Sequence, residues 1–215
     1  MSEPIILAVD TCFGVCSAAI VEGGRTLAHA NEAMERGHAE ALAPMVETVM
    51  RQAGLDFTAL DRLAVTVGPG TFTGQRVGLA FMRGLRVALK KPLIGVTSLG
   101  AMAERARRES GAATAAAVHD AKRGEVYVEA VGNSALNVRV LLFAEAVALL
   151  GPISDLVLTG TAAERLAREI GITRVIAADA PDAIWVGRLA AAMQPSAPPR
   201  PLYLRAPDAK LPAGR

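Results

Sequence analysis

Residues 68–78 read GPGTFTGQRVG, a glycine-rich turn between an apolar stretch at 63–67 and a second apolar stretch that runs to about residue 90. The first stretch has the length and composition of a buried strand, and the second has the length of a helix. A strand, a glycine turn and a helix N-terminus in this order place backbone N–H groups at the positive end of a helix dipole. We therefore expect an α/β fold in which this turn faces an anion or the backbone of a partner.

Two interpretations of this turn remain open. It lacks the lysine of a P-loop and the glycine spacing of a dinucleotide-binding fingerprint. As a binding loop, it would use threonine hydroxyls and the guanidinium of Arg76, which can hold an anion through two hydrogen bonds. As a structural turn, it would use its glycines only to let the helix approach the sheet closely. The candidate anion-facing or nucleotide-facing residues are Asp10, Thr11, Gly68, Gly70, Thr71, Thr73, Gly74 and Arg76.

Asp10 follows the first predicted strand, where open α/β sheets place their ligand contacts. A carboxylate there can orient a metal-bound water, or it can cap its own turn by accepting from the N–H two residues on. Asp120 follows a later strand in the same way. Both interpretations stay open for both aspartates.

The periodicity of the chain predicts the order βββαβαβα twice. Strands are expected at 5–9, 15–21, 26–32, 63–67 and 93–96, and again at 115–118, 126–131, 138–143, 156–158 and 175–177. Helices are expected at 38–53, 74–90, 98–110, 144–150, 162–170 and 182–193. Pro44 should kink the first helix or move its start. Asp10 and Gly14 recur at the same spacing as Asp120 and Gly124, which supports a duplication.

This pattern divides the chain into a first lobe at 1–98, a smaller second lobe at 99–194 and a proline-rich tail at 195–215. We expect the tail to lie extended against the body of the protein. The first lobe is the predicted partner-binding lobe.

Composition argues against several functional classes. The 215 residues carry a net charge of only +2 and 4% aromatic residues, unlike a stand-alone nucleic-acid-binding protein. The arginines at 105, 107 and 108, and the basic residues of the tail, form either solvated surface or part of an RNA-binding surface built with other proteins. No apolar run reaches the length of a membrane span.

The remaining chemistry-bearing residues predict neither a metal site nor hydrolase chemistry. The three histidines lack a metal-ligand spacing, and neither Ser17 nor Ser98 has a histidine nearby in sequence. Cys12 and Cys16 flank one short turn, and no secretory leader pattern precedes them. We expect free thiols in a cytoplasmic protein.

The first two helices carry more apolar surface than one face of a small sheet usually hides. Methionine-rich helices suit adaptable interfaces, so we predict that this pair meets a partner. Burial inside the lobe remains the alternative for each single residue. The predicted interface residues are His38, Leu42, Met45, Val49, Met50, Val77, Phe81, Met82 and Leu85.

The chain contains ILAVDT at 6–11, GPGTFTGQR at 68–76, GVTSL at 95–99, DAKRGEVY at 120–127 and PLYLR at 201–205. These segments resemble the bacterial TsaB family, formerly called YeaZ, and the resemblance extends over nearly the whole chain. Gln75 stands where an aliphatic residue is more usual, and Lys122 replaces the commoner arginine, which conserves only the charge.

The resemblance implies a two-lobed fold of the actin, sugar-kinase and heat-shock-protein (ASKHA) type with a reduced second lobe. It implies a non-catalytic subunit required for threonylcarbamoyladenosine modification of tRNA. Such a subunit pairs with TsaD and, with the ATPase TsaE, supports transfer of the threonylcarbamoyl group to an adenosine of tRNA.

The same resemblance places ATP and the metal on the partner proteins, and contact with tRNA in the complex rather than on this chain alone. It also implies that the isolated chain can form a homodimer through its first lobe. The alternative function is an independent small-molecule phosphotransferase of the ASKHA type that uses Asp10 and the turn at 68–78.

Overall fold

Two five-stranded sheets form the framework of the protein in a computed structural model that describes residues 3–205. The first sheet has the order β3-β2-β1-β4-β5 and the second has the order β8-β7-β6-β9-β10, so the two sheets repeat one topology. In each, the first strand is antiparallel to the second and parallel to the fourth. The shared strand order of the two sheets confirms the predicted duplication.

The elements follow the predicted order, and their ends differ from the predicted ends by at most two residues. The strands of the first sheet are β1 (Ile5–Asp10), β2 (Val15–Glu22), β3 (Arg25–Ala33), β4 (Arg62–Gly68) and β5 (Leu93–Thr97). Those of the second are β6 (Thr114–Asp120), β7 (Glu125–Gly132), β8 (Leu136–Leu142), β9 (Leu156–Thr159) and β10 (Val175–Ile176). The helices are α1 (His38–Ala53), α2 (Phe72–Leu89), α3 (Ser98–Ser110), α4 (Phe143–Leu150), α5 (Ala163–Ile170) and α6 (Ala183–Ala192). A short 3₁₀ turn at Phe57–Ala59 was not predicted.

Helix α1 begins at His38 as the pattern predicts, so Pro44 does not move its start. The prolyl ring removes one backbone N–H from the helix. The carbonyl of Pro44 accepts a hydrogen bond from the hydroxyl of Thr48 at 2.9 Å.

Helices α1 and α2 cover one face of the first sheet, and their large apolar side chains form the core of the first lobe. This corrects the predicted interface, because five of its nine residues are core residues. Leu42, Met45, Val49, Met50 and Met82 are each 9% exposed or less. His38 is also buried, and its Nε2 lies 3.1 Å from the carbonyl oxygen of Phe13. Only Val77, Phe81 and Leu85 of the predicted set keep partial exposure.

The other face of the first sheet is covered by α6, which the sequence pattern had placed in the second lobe. Its first N–H groups are anchored by Ser17, whose hydroxyl accepts from Ala183 at 3.0 Å. Gly187 lies where a Cβ would press on the side chains of Val21 and Ala8. Arg62 donates to carbonyl groups at the end of the helix, including that of Met193 at 3.0 Å. The chain therefore returns to the first lobe before it ends.

Helix α3 lies between the two lobes. It packs on the second sheet through Leu99, Met102, Ala103 and Ala106, and it also contacts α6 and the first sheet. The opposite face of the second sheet is covered by α4 and α5. None of the helices within residues 3–205 combines the length and apolarity that a bilayer-spanning segment needs.

Candidate functional site at the β1–β2 turn and helix α2

The N-terminus of α2 is capped from within the glycine turn. Thr71 is the N-cap residue in an extended conformation, and its hydroxyl accepts from the N–H of Gly74 at 3.1 Å. Thr71 and Thr73 are both exposed on the first turn of the helix. One of the N–H groups that could face an anion is therefore already satisfied by the turn itself.

The β1–β2 turn packs directly onto this helix end. The hydroxyl of Thr11 donates to the carbonyl of Gly74 at 2.7 Å and accepts from the N–H of Gly78 at 3.1 Å. The Gly74 carbonyl and the Gly78 N–H are the acceptor and donor of one i, i+4 pair of the helix. One residue further along, the carbonyl of Cys12 accepts from the N–H of Thr71 at 2.7 Å.

Three glycines make this approach possible. A Cβ at Gly70 would run into the backbone of Cys12, and a Cβ at Gly74 would run into the carbonyl of Thr11. A Cβ at Gly78 would lie 2.6 Å from the hydroxyl oxygen of Thr11. The spacing of the glycines therefore matches the contact between two segments of this chain, as the close-approach interpretation requires.

Gln75 is folded into the same turn. It is only 3% exposed, and its side-chain amide donates to the carbonyl of Gly70 at 3.0 Å. It also packs against Gly68, which has a φ of 110° and where a Cβ would lie 2.8 Å from the Gln75 side chain. A polar residue here replaces apolar packing by a hydrogen bond across the turn.

Asp10 is completely buried beneath the turn. Its Oδ1 accepts from the N–H of Cys12 at 3.1 Å and from the hydroxyl of Thr66 on β4. Its Oδ2 has no hydrogen-bond partner among residues 3–205. Burial raises the pKa of Asp10 to about 7, against the lowering effect of the Thr66 and Cys12 hydrogen bonds. This geometry is that of a turn cap that also ties β1 to β4.

Asp120 occupies the matching turn of the second lobe but is exposed. Its Oδ1 accepts from the N–H of Lys122 at 2.9 Å, and this hydrogen bond is the main cause of its lowered pKa. The two repeated aspartates thus share a local capping role, accepting from the N–H two residues on. They differ in burial and in partners, because Asp10 is enclosed and also accepts from Thr66, whereas Asp120 is exposed.

Arg76 contacts the first turn of its own helix and the tail rather than the β1–β2 turn. Its guanidinium carbon lies 3.6 Å from the centre of the Phe72 ring, and its Nε donates to the hydroxyl of Tyr203 at 2.9 Å. The Tyr203 ring in turn stacks on Phe72 with 5.9 Å between centroids. Arg76, the predicted anion-holding residue, is therefore engaged by the tail.

The tail crosses from the first lobe to the second. The N–H of Leu202 donates to the carbonyl of Val67 at 2.8 Å, and Arg83 donates to the carbonyl of Pro199. Arg205 forms an ion pair with Glu125 and donates to the carbonyl of Ala121 at 2.6 Å. Residues 206–215, which also belong to the predicted tail, lie outside the described part of the chain.

The facing turns of the two lobes also touch. Phe13 from the β1–β2 turn and His119 from the end of β6 have ring centroids 4.1 Å apart. Burial lowers the pKa of His119 to about 4, so the ring is neutral at physiological pH. Sequence reasoning missed this contact and the Thr66 contact to Asp10, because neither residue stands in a recognisable motif. Among residues 3–205, no group of three or more His, Cys, Asp or Glu side chains is placed to hold a metal ion.

Comparison with known proteins gives the family. A family model described as "TsaD: tRNA N6-adenosine threonylcarbamoyltransferase" matches residues 29–197. The structure of a Pseudomonas aeruginosa protein, described as similar to the peptidase YeaZ, superposes with a TM-score of 0.82 and 32% identity. That match covers 94% of this chain and 100% of the other. The chain belongs to the TsaB (YeaZ) family. The Escherichia coli tRNA threonylcarbamoyladenosine biosynthesis protein TsaB is 40% identical over 122 residues, which is 57% of this chain and 52% of that protein.

The match to curated TsaB proteins thus spans about half of their length. A more distant structure confirms the fold alone. Component A of (R)-2-hydroxyglutaryl-CoA dehydratase from Acidaminococcus fermentans has a TM-score of 0.52 at 12% identity, over 88% of this chain and 99% of that one. The predicted two-lobed ASKHA fold of this TsaB-family chain is confirmed.

Proposed function

We propose that this TsaB-family chain is a non-catalytic subunit required for threonylcarbamoyladenosine modification of tRNA. In this proposal it pairs with TsaD and works with TsaE during transfer of the threonylcarbamoyl group. The names of its relatives support the pathway. The observation that carries the non-catalytic role is the contact between Thr11 and α2, because the chain's own turn packs on the helix end that would otherwise receive a phosphate.

The alternative phosphotransferase finds less support in the same geometry. It needs a carboxylate that can reach a ligand, and Asp10 is completely buried with both of its hydrogen bonds inside the chain. It also needs a cation at the β1–β2 turn, whereas the Arg76 guanidinium lies over the Phe72 ring and donates to Tyr203 of the tail. We therefore keep the proposal, which the family resemblance implies, that ATP and the metal belong to the partner proteins.

The partner surface is proposed on the outer side of α1 and α2, formed by the exposed residues rather than by the buried ones. At about 100° per residue, a run of small side chains occupies one exposed flank of α2, beside the partly exposed Val77 and Phe81. Gly84 stands in this run, and a Cβ there would meet nothing within 4 Å. Small side chains let a second helix approach closely. We name this surface the small-residue flank: Ala80, Gly84 and Ala88 on α2, with Ala39, Ala43 and Pro44 on α1.

Similarity between this chain and TsaD supports pairing through like surfaces. The TsaD family model matches residues 29–197, which include α1 and α2. Two chains that carry the same pair of helices can associate about an approximate two-fold axis, with the small-residue flank of each facing the other. A homodimer of the isolated chain would use the same surface, so TsaD and a second copy would compete for it.

The deciding experiment is a reconstituted tRNA modification assay with TsaD, TsaE, ATP, magnesium, a threonylcarbamoyl donor and unmodified tRNA. We expect modification to depend on adding this chain. Modification at full rate in its absence would overturn the proposed function. Isothermal titration of the isolated chain with ATP and magnesium tests the alternative phosphotransferase, because an independent kinase must bind nucleotide without a partner protein. Contact with tRNA through the complex and a cytoplasmic location stay predictions.

A further inference from the structure

Charge is strongly segregated along this chain. From Arg62 to Ala103 the sequence contains six Lys and Arg residues and no Asp or Glu, although the whole chain has a net charge of only +2. Helix α2 and the strand that follows it lie inside this stretch. A low net charge therefore conceals a local concentration of positive charge.

Three of these cations lie along one flank of α2, and a fourth, Lys90, is its C-cap residue. At about 100° per residue the three fall within an arc of about 80°, and they extend over about 15 Å of helix. The arc adjoins the small-residue flank and lies on the side of the tail, where Arg83 donates to Pro199. We name this surface the basic flank: Arg76, Arg83 and Arg86 on α2, continued by Lys90 at its C-cap, Lys91 after the helix and Arg200 in the tail.

No residue of the basic flank forms an ion pair with another residue between 3 and 205. The arginines of α3 differ in this respect. Arg105 pairs with Glu109 at 2.8 Å, and Arg107 and Arg108 both pair with Glu104, at 2.8 Å and 2.7 Å. Two glutamates thus offset two of the three positive charges of the α3 cluster, whereas within residues 3–205 no carboxylate pairs with the cations of α2.

Two exposed aromatic rings stand at the N-terminal end of the basic flank. Phe72 is 55% exposed and Tyr203 is 47% exposed, in a chain with only 4% aromatic residues. They stack on each other, and the guanidinium of Arg76 lies over the Phe72 ring. An exposed aromatic pair beside cations that have no ion-pair partner among residues 3–205 is a combination that suits single-stranded nucleic acid, because bases stack on the rings and phosphates meet the cations.

We propose that the basic flank, together with Phe72 and Tyr203, binds a single-stranded segment of RNA. The proposal deepens the proposed function and rests on it for the identity of the RNA, which would be the tRNA being modified. It replaces the expected indirect contact with tRNA by a direct one. Since the basic flank and the small-residue flank occupy different arcs of α2, protein and RNA can bind together.

The test measures fluorescence anisotropy of a fluorescein-labelled oligouridylate titrated with the full chain at several salt concentrations. We expect log affinity to fall linearly with log salt, by about 0.7 for each phosphate contact. Replacing Arg83, Arg86 and Lys90 together by Gln should weaken binding and flatten the slope by about 2. Tyr203→Ala should weaken binding about tenfold and leave the slope unchanged. Circular dichroism checks that each variant is folded.

The control replaces Arg105 and Arg108 by Gln, which removes one partly exposed and one exposed arginine that are already paired with Glu109 and Glu104. We expect this variant to bind RNA like the parent chain. Equal loss in the control and the α2 variant would overturn the proposal, and so would the absence of binding at low salt. Competition by polyglutamate as strong as competition by RNA would also overturn it and would indicate an acidic protein partner.

Failure of this inference is distinguishable from failure of the proposed function. A folded α2 variant that has lost RNA binding but supports modification at the parental rate would contradict only the inference. RNA binding by a chain that the modification assay does not need would contradict only the proposed function.

Discussion

Gly84→Gln offers a test of the partner surface in which two measurements should move in opposite directions. Gly84 is exposed in the interior of α2, and a Cβ there meets nothing within 4 Å. A glycine in a helix interior costs about 0.5 to 1 kcal/mol relative to a good helix former, so the substitution should raise the free energy of unfolding by about 0.5 kcal/mol. In the proposed complex the new side chain would stand between two close helices. We expect at least a tenfold loss of affinity for TsaD, about 1.4 kcal/mol.

The assays are urea unfolding followed by circular dichroism and titration calorimetry with purified TsaD. Glutamine is neutral, so the substitution leaves the charge of the basic flank unchanged. The matched control is Ala148→Gln, which places the same side chain at an exposed position of α4. Unchanged affinity for TsaD in a folded Gly84→Gln variant would refute the assignment of the small-residue flank. Charged substitutions at Met45 are unsuitable for this purpose, because that side chain lies in the core and the lobe would unfold.

Three further predictions concern the turn, the buried carboxyl groups and the tail. Thr11→Val removes two buried hydrogen bonds to α2 and should lower the free energy of unfolding by about 2 kcal/mol in guanidinium titrations; an unchanged midpoint would contradict the geometry. Burial raises the pKa of Asp10 from 3.8, and that of Glu129 from 4.5, to about 7, so the folded chain keeps protons that the unfolded chain releases. His119 acts in the opposite direction, because burial lowers its pKa to about 4 and the unfolded chain binds that proton instead. With two carboxyl groups against one imidazole, stability should fall as the pH rises from about 4 to about 7, and Asp10→Asn should flatten this profile; a steeper fall in the variant would contradict this reasoning. A double-mutant cycle of Arg205→Gln and Glu125→Gln should give a coupling of about 1 kcal/mol for the half-exposed pair, and additive effects would mean that the tail is not held there.

Local sequence patterns predicted most of the framework. Apolar runs, helix-ending glycines and turn residues act over a few positions, which is why the ends of elements such as α3 and β5 were predicted to within a residue. The repeat of Asp10 and Gly14 as Asp120 and Gly124 reflected the shared topology of the two sheets. The same patterns could not say which lobe α6 packs against, because both sheets offer an apolar face.

The candidate site was predicted in its residues but not in its contacts. The sequence placed Asp10, Thr11 and the glycines of the turn among the candidates. It could not show that the hydroxyl of Thr11 meets Gly74, 63 residues away. Nor could it show that Arg76 is engaged by Tyr203, 127 residues away.

The sequence alone determined the order of strands and helices, the duplication, the resemblance to the TsaB family and the glycine positions. Each of these depends on the chemistry of short segments. Only the tertiary structure decided that the methionines of α1 and α2 belong to the core, because a helix face becomes inner or outer only when a sheet lies beneath it. It also divided α2 into a small-residue flank and a basic flank, because the direction of each side chain depends on where the sheet and the tail lie.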